Sequence, residues 1–266
     1  VELDHVRVLS EFDAQVRQST TPDGSGAVGE RAGPVVRWTK RGGRGWSGIV
    51  WSDLNAGTAD EVIADQVTFF AGRGEQFEWK LYSYDQPPDL GERLRDAGFA
   101  AEDPESLMVA DTAEIAGSRV LAEARLPDGV RLVPVTDEAG VDLMIGVRDR
   151  IFGDHDPRWR EALVAQLQSS PPGSMVLAMA GDEPVCSARV EGYPGTDFAG
   201  LWGGGTLPQW RGQGIYRALV AYRAQLAVAH GYRHLQVDAS PESRPILERL
   251  GFTRLAVTTP YVWSPG

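Results

Sequence analysis

The sequence predicts an α/β chain organised in two halves, and three observations carry that reading. Segments with helical spacing of apolar residues alternate with strand-like runs along the chain. A turn-forming stretch, Arg125-Leu126-Pro127-Asp128-Gly129, lies near the middle. A short pattern also recurs: Glu92-Arg93-Leu94 leads to Gly98-Phe99, and Glu248-Arg249-Leu250 leads to Gly251-Phe252. In both halves it closes the order helix, strand, short helix, Gly-Phe, strand. This reads as an internal duplication with domains 1–125 and 128–266, against chance similarity between two αβ units.

The first half is the looser one. Residues 20–33 mix Pro, Gly and Ser and read as a loop. Strands are expected at 35–39 and 48–51. A helix is expected at 58–70, with Thr58 as cap and Glu61 three residues on, the spacing of a capping box. A strand at 77–83, a short helix at 90–97 ended by Gly98, and a strand at 107–110 follow.

The second half opens with a strand at 130–135 and a helix at 141–152, whose Leu143, Val147 and Ile151 have helical spacing. Gly153-Asp154-His155-Asp156-Pro157 breaks that helix. A second helix at 159–168 stops at Pro171-Pro172-Gly173. Residues 175–180 and 185–191 form a hairpin around Gly181-Asp182. The strand at 198–207 contains Gly203-Gly204-Gly205, which marks a bulge or a close approach of ligand to backbone. The strongest helix spans 214–230, with Ile215, Leu219, Tyr222 and Leu226 as its apolar side and Gly231 as its stop. A strand at 235–238, a helix at 243–250 with Pro245 in its first turn, and a strand at 257–263 complete the order.

Composition narrows the function. Of 266 residues, 42% are hydrophobic and 9% aromatic, enough for an ordinary core. The formal net charge of −11 repels nucleic-acid phosphates, which disfavours such a partner; it suits a cationic substrate or serves solubility alone. The single cysteine, Cys186, permits no intramolecular disulfide and lies in the apolar run Pro184–Ala188, the setting of a buried thiol. No apolar run reaches the roughly 18 residues of a membrane span, and no signal peptide is visible, so a cytoplasmic protein without membrane contact is expected.

The chemistry is concentrated at Gln209-Trp210-Arg211-Gly212-Gln213-Gly214, between a strand and the strongest helix. Two glycines allow a sharp turn, and the N–H groups at the helix start make an anion site suited to a diphosphate. The segment Thr206 to Tyr216 resembles motif A of the GCN5-related N-acetyltransferase (GNAT) superfamily, Gln/Arg-x-x-Gly-x-Gly/Ala. The segment Ser243 to Phe252 is similar to its motif B. The resemblance covers about half of the chain, and the first half looks like a degenerate second copy that lacks the turn.

The resemblance implies two tandem GNAT-like domains, each a central twisted mixed sheet flanked by helices. It implies acetyl-CoA as co-substrate, no metal, and acetyl transfer to a primary amine of a small molecule by direct attack. Two copies in one chain replace a homodimer, so a monomer is expected. The cofactor residues it implies are Thr206 and Leu207, offering backbone groups to pantetheine and the thioester, with Gln209, Arg211, Gly212, Gln213, Gly214, Ile215 and Tyr216 around the pyrophosphate, and Ser243. The position that commonly holds a tyrosine acid is Leu247; Ser243, Tyr216 and Tyr261 are the substitutes within reach of the sequence. No acid lies on 201–205, so the candidates for general base are Glu191, Asp238 and His155. Trp202 and Trp159 are candidate walls of an acceptor pocket. Acetylation of a protein amine, or acyl-CoA binding without turnover, remain as alternatives.

Overall fold

The computed structural model describes residues 3–21, 27–40, 46–122, 125–153, 155, 157–171 and 173–265, with only the backbone described at 120, 122, 157 and 158. The chain divides into two compact units: Val1–Met108 with Asp238–Arg244 and Arg254–Gly266, and Val109–Val237 with Pro245–Thr253. The units thus differ from the linear split into 1–125 and 128–266. The last strand belongs with the first unit because it hydrogen-bonds along one of that unit's own strands.

In the first unit, α1 (His5–Phe12) is capped by Asp4, whose carboxylate accepts from the Arg7 N–H at 3.2 Å. Strands β1 (Ala27–Ala32), β2 (Val35–Lys40) and β3 (Gly48–Ser52) form an antiparallel run. The loop expected over 20–33 is therefore a strand from Ala27 on. Its polar, glycine-containing sequence gave no alternation, and pairing with β2 supplies what propensity does not. Helix α2 (Ala59–Ala71) leads to β4 (Phe77–Tyr82), which lies parallel to β3. Helix α3 (Leu90–Asp96), β5 (Ala100–Ala101) and β6 (Glu105–Asp111) follow. The final strand of the chain, β12 (Thr253–Trp263), pairs antiparallel with β4 from Thr258↔Tyr82 to Trp263↔Phe77.

Strand alternation sets this unit's core. Phe77 and Trp79 join Ile63 and Phe70 of α2 and Leu90 and Leu94 of α3. Phe77 stacks on Phe70 with ring centroids 4.1 Å apart. The capping box expected at Thr58 is not formed: its hydroxyl turns back to the Asn55 carbonyl, and no side chain caps α2.

In the second unit come α4 (Thr112–Ala116), α5 (Arg119–Ala122) and β7 (Val130–Pro134), then α6 (Glu138–Phe152) and α7 (Pro157–Ser169). Strands β8 (Met175–Ala180), β9 (Glu183–Gly192) and β10 (Phe198–Thr206) continue an antiparallel sheet from β7. Helix α8 (Ile215–Ala229) and β11 (His234–Ala239) follow, β11 lying parallel to β10. Helix α9 (Arg244–Arg249) precedes β12. β8 is buried on both faces, as its unbroken apolar sequence requires. Val176 and Ala178 pack with Ile215 and Leu219 of α8, while Met175, Leu177 and Met179 pack with Val141, Met144 and Val147 of α6 and Leu163 of α7.

The Gly-Phe repeat is one structural device used twice. Gly98 and Gly251 take φ of 91° and 98°, and the N–H groups of Phe99 and Phe252 return to the Leu94 and Leu247 carbonyls, each at 3.0 Å. This is the left-handed helix stop that favours glycine.

Candidate active site

The turn between β10 and α8 is built on two left-handed glycines. Gly212 has φ of 76° and Gly214 φ of 87°, a region costly to residues with a Cβ. Nothing stands within 4 Å of a Cβ placed on Gly212, so its side is open. No side chain caps α8 and its first turn holds no acid. The helix ladder begins with the Ala218 N–H on the Gly214 carbonyl, so the N–H groups of Ile215, Tyr216 and Arg217 have no partner among the described residues and lie at the positive end of the helix dipole. The Gln213 amide donates to the Gln209 carbonyl at 3.0 Å, and the Arg211 guanidinium to the Thr206 carbonyl at 3.1 Å. Both side chains stiffen the turn in this conformation.

The strand that leads into the turn parts from its neighbour. β10 and β11 pair only from Phe198↔His234 to Gly200↔Gln236, although both strands run on. Just past the parting, β10 bulges. Between the pairs Trp202↔Arg189 and Gly205↔Ser187, Gly203 and Gly204 together face the single residue Ala188, and Gly203 has φ of 59°. The three glycines expected to mark a bulge do so.

Register assigns the faces. A Cβ on Gly205 would meet Ile151 of α6 at 2.8 Å, so its pair partner Ser187 and, by alternation, Arg189 and Glu191 look towards α6. Trp202 and Gly200, opposite Arg189 and Glu191, share that face. The other face looks to α8. There the Cys186 thiol lies 3.0 Å from the Thr206 hydroxyl, and burial pushes that thiol up to about 11. Cys186 is a structural thiol, as its apolar context predicts.

The proton-handling candidates are less open than the turn. Glu191 is ion-paired with Arg189 at 2.5 Å. Asp238 belongs to the first unit, where it is buried and ion-paired with Lys80, again at 2.5 Å. Burial works against the Lys80 ammonium, but Asp238, with help from Tyr82 and Glu78, holds it well above the ordinary lysine range. His155 is exposed, its Nδ1 2.8 Å from Asp149; its neighbours Asp154 and Asp156 lie outside the described residues. Glu191 and His155 each pair with another residue of the second unit, and Asp238 with a residue of the first. Trp159 lies under the Arg148 guanidinium at 4.4 Å, as a wall or as packing.

Some expected contacts are already made within the chain. The Leu207 N–H donates to the Val185 carbonyl and its own carbonyl accepts from Trp210, so neither faces outward unpaired. The Ser243 hydroxyl donates to the Ser240 carbonyl inside a tight turn of the first unit. Leu247 is fully buried and supplies no proton. Among the described residues no group of three His, Cys, Asp or Glu side chains is placed to hold a metal ion. No helix among them is long and apolar enough to cross a membrane.

One residue of this region was not foreseen. Arg223 is 1% exposed in the apolar stripe of α8, on the side shared by Ile215 and Leu219. Tyr222 and Leu226, expected on the apolar side, are only half-buried. The signal was present: 215, 219 and 223 follow at four-residue spacing, so the core stripe itself contains an arginine.

Residues 144–252 match the sequence profile of the acetyltransferase (GNAT) family. They form a GNAT-family domain. Its span takes in α8 with the turn, the parted strands and the glycine bulge. No curated protein matches the chain. Among solved structures, a GCN5-related N-acetyltransferase from Kribbella flavida aligns with a TM-score of 0.69 at 17% identity, over 100% of this chain and 97% of its own. A functionally unknown conserved protein from Staphylococcus epidermidis aligns at 0.64 and 13%, over 96% and 98%. A tandem GNAT protein from the clavulanic acid biosynthesis pathway aligns at 0.61 and 12%, over 98% and 94%. These likenesses are of fold, and they run beyond the GNAT domain along nearly the whole chain.

Proposed function

We propose that the chain is an acetyl-CoA-dependent N-acyltransferase that acetylates a primary amine of a small molecule. The observation that carries this is the pair of left-handed glycines opening α8 at the end of a strand that parts from its neighbour. The N–H groups of the turn and of the first turn of α8 would hold the diphosphate. The pantetheine arm would lie along β10 past Gly203–Gly205. The acyl group would pass directly to the amine, without a covalent enzyme intermediate, with binding and orientation supplying much of the rate. The acceptor amine has an ordinary pKa near 10 and must lose a proton. Of the base candidates, Glu191 shares the α6-facing side of the sheet with Trp202, which favours it, and it acts once its contact with Arg189 loosens. The first unit is proposed to bind no cofactor.

A second reading is favoured by a specific observation. Glu191 and Asp238 are both held in ion pairs and Leu247 stands where an acid is usual, which suits a module that binds acyl-CoA without turnover. Acetylation of a protein amine is the third. Incubation with acetyl-CoA and a panel of polyamines, aminoglycosides, amino acids and peptides, following free thiol, separates them. Acceptor-dependent thiol release from a small amine is expected. Release with peptides alone would point to a protein substrate. Tight CoA binding with no release from any acceptor would favour the binding module.

A further inference from the structure

The buried guanidinium of Arg223 has two of its nitrogens engaged. Nε donates to the Leu219 carbonyl at 3.0 Å, and Nη1 donates to the Arg189 carbonyl at 3.3 Å, on the β9 residue that begins the bulge. Nη2 is buried and has no hydrogen-bond partner among the described residues. No carboxylate among those residues pairs with the group, which sits 1% exposed. Burying a cation without an anion costs several kcal/mol, so such an arrangement is rarely left without use. Both terminal nitrogens lie beside the bulge: a Cβ placed on Gly204 would meet Nη2 at 3.8 Å, Nη1 at 3.9 Å and the Tyr216 ring at 3.2 Å. Burial pulls the guanidinium below its ordinary value, opposed by the charges of Tyr216 and Cys186 and by a side-chain hydrogen bond with Tyr216. Arginine starts far enough above neutrality to remain a cation.

Arg223 lies eight residues after Ile215, where α8 begins, or about 12 Å along the axis from the diphosphate turn. A ligand held by that turn and lying back along β10 would bring its thioester end towards the bulge. The transfer creates one anion there. The amine nitrogen bonds to the acyl carbon, the carbon–sulfur bond breaks, and its electron pair stays on sulfur as thiolate. The acceptor gives one proton to the base before it attacks, and the second proton leaves the new amide nitrogen for solvent as the bond to sulfur breaks.

We propose that Nη2 of Arg223 receives the sulfur of coenzyme A and stabilises it as the departing thiolate. An electrostatic partner thereby does the work of a proton donor at the position where Leu247 offers none. This rests on the cofactor reading above. Arg223 itself gives up no proton, so the step needs no further reactant.

The test is a titration of CoA bound to the whole protein, followed by the ultraviolet absorbance of the thiolate. Free thiol ionises near 8.5. An opposite charge within hydrogen-bond reach is expected to lower the bound thiol by about 1–3 units. Cys186 does not interfere, because burial keeps it near 11. Desulfo-CoA, which lacks the sulfur, should bind wild type and Arg223→Met within about 3-fold, equivalent to less than about 0.7 kcal/mol. In Arg223→Met the bound CoA thiol should titrate at or above its free value. If Arg223→Met does not bind desulfo-CoA, Arg223→Gln takes its place with the same expectation. Bound CoA whose thiol titrates at the free value in wild type, or equally low in the neutral variant, overturns the proposal alone. Failure of wild type to bind either compound overturns the cofactor reading and this proposal with it.

Discussion

Two strand-to-helix junctions in this chain share a frame and differ in charge. In each unit a strand pairs in parallel with the strand beyond a helix, and the pairing is short: Gly48↔Glu78 and Ile49↔Trp79 in the first, three pairs ending at Gly200↔Gln236 in the second. The second junction turns on Gly212 and Gly214 and opens α8 with no acid in its first turn. The first has Asn55, Gly57 and Thr58 in its place, and α2 opens with Asp60 and Glu61. Those acids suit the helix dipole but repel a diphosphate. One frame thus recurs in both units, while among the described residues the left-handed glycine turn is present in only one of its two uses.

The buried cations make the same contrast. In the first unit Arg17 is held by both oxygens of Asp85 and by Asp13, and Lys80 by Asp238. In the second, Arg223 has no carboxylate among the described residues. Charges neutralised within the chain serve stability. A charge left uncompensated beside a bulged strand leaves room for a ligand's anion.

The largest effect that would break this comparison is at the turn. Gly212→Glu puts a Cβ at φ of 76° and a carboxylate at the proposed diphosphate position; CoA affinity by calorimetry should fall at least about 100-fold. Unchanged affinity would misplace the pyrophosphate. Next is Asp85→Asn, which leaves Arg17 buried with a weakened partner and should cost about 3 kcal/mol in urea unfolding. Arg223→Met gives up bonds to two carbonyls but also removes an uncompensated buried cation, so it should cost clearly less than Asp85→Asn; equal costs at the two sites would erase the contrast.

A smaller effect follows from Glu105. Burial pushes its carboxyl up to about 7 from an ordinary 4.5, with Lys80 pulling it back. Between those values the folded chain keeps a proton that the unfolded chain has lost, so this group's contribution to stability falls as pH rises through that window. Glu105→Gln stays neutral and should gain on the order of 1 kcal/mol at about pH 8 and nothing at about pH 4, allowing for its partial exposure. Melting curves at the two values decide it; a gain independent of pH would deny the proton. The smallest effect sharpens the contrast of the junctions. Asp60→Asn with Glu61→Gln removes the acids but supplies no glycine turn, so CoA should still bind at one per chain by calorimetry. Two per chain would show that charge alone had silenced the first junction.

Much of the fold was legible because its signals are local. Ile215 and Leu219 carry helical period, Gly231 and Gly251 stop helices, and Gly203–Gly205 announced a bulge. The missed elements lack such signals. β1 has polar residues and a glycine, and exists through β2; α1 is short and begins the chain as described. At the site, the turn was legible because left-handed backbone demands glycine. Glu191, Asp238 and His155 were chosen by type and position, and nothing local could show that two are held in ion pairs and that the third is exposed.

The sequence by itself determined the αβ order, the two-fold repeat of the Gly-Phe stop and the glycine turn before α8, since each is dictated by period or by backbone sterics within a few residues. Only the tertiary structure decided that β12 belongs with the first unit, that β10 parts from β11 after Gly200, and that Arg223 lies buried beside the bulge with no carboxylate among the described residues. Those facts depend on which distant segments come together, and a hydrogen-bond partner or a missing counter-charge is a property of neighbours in space that spacing along the chain does not carry.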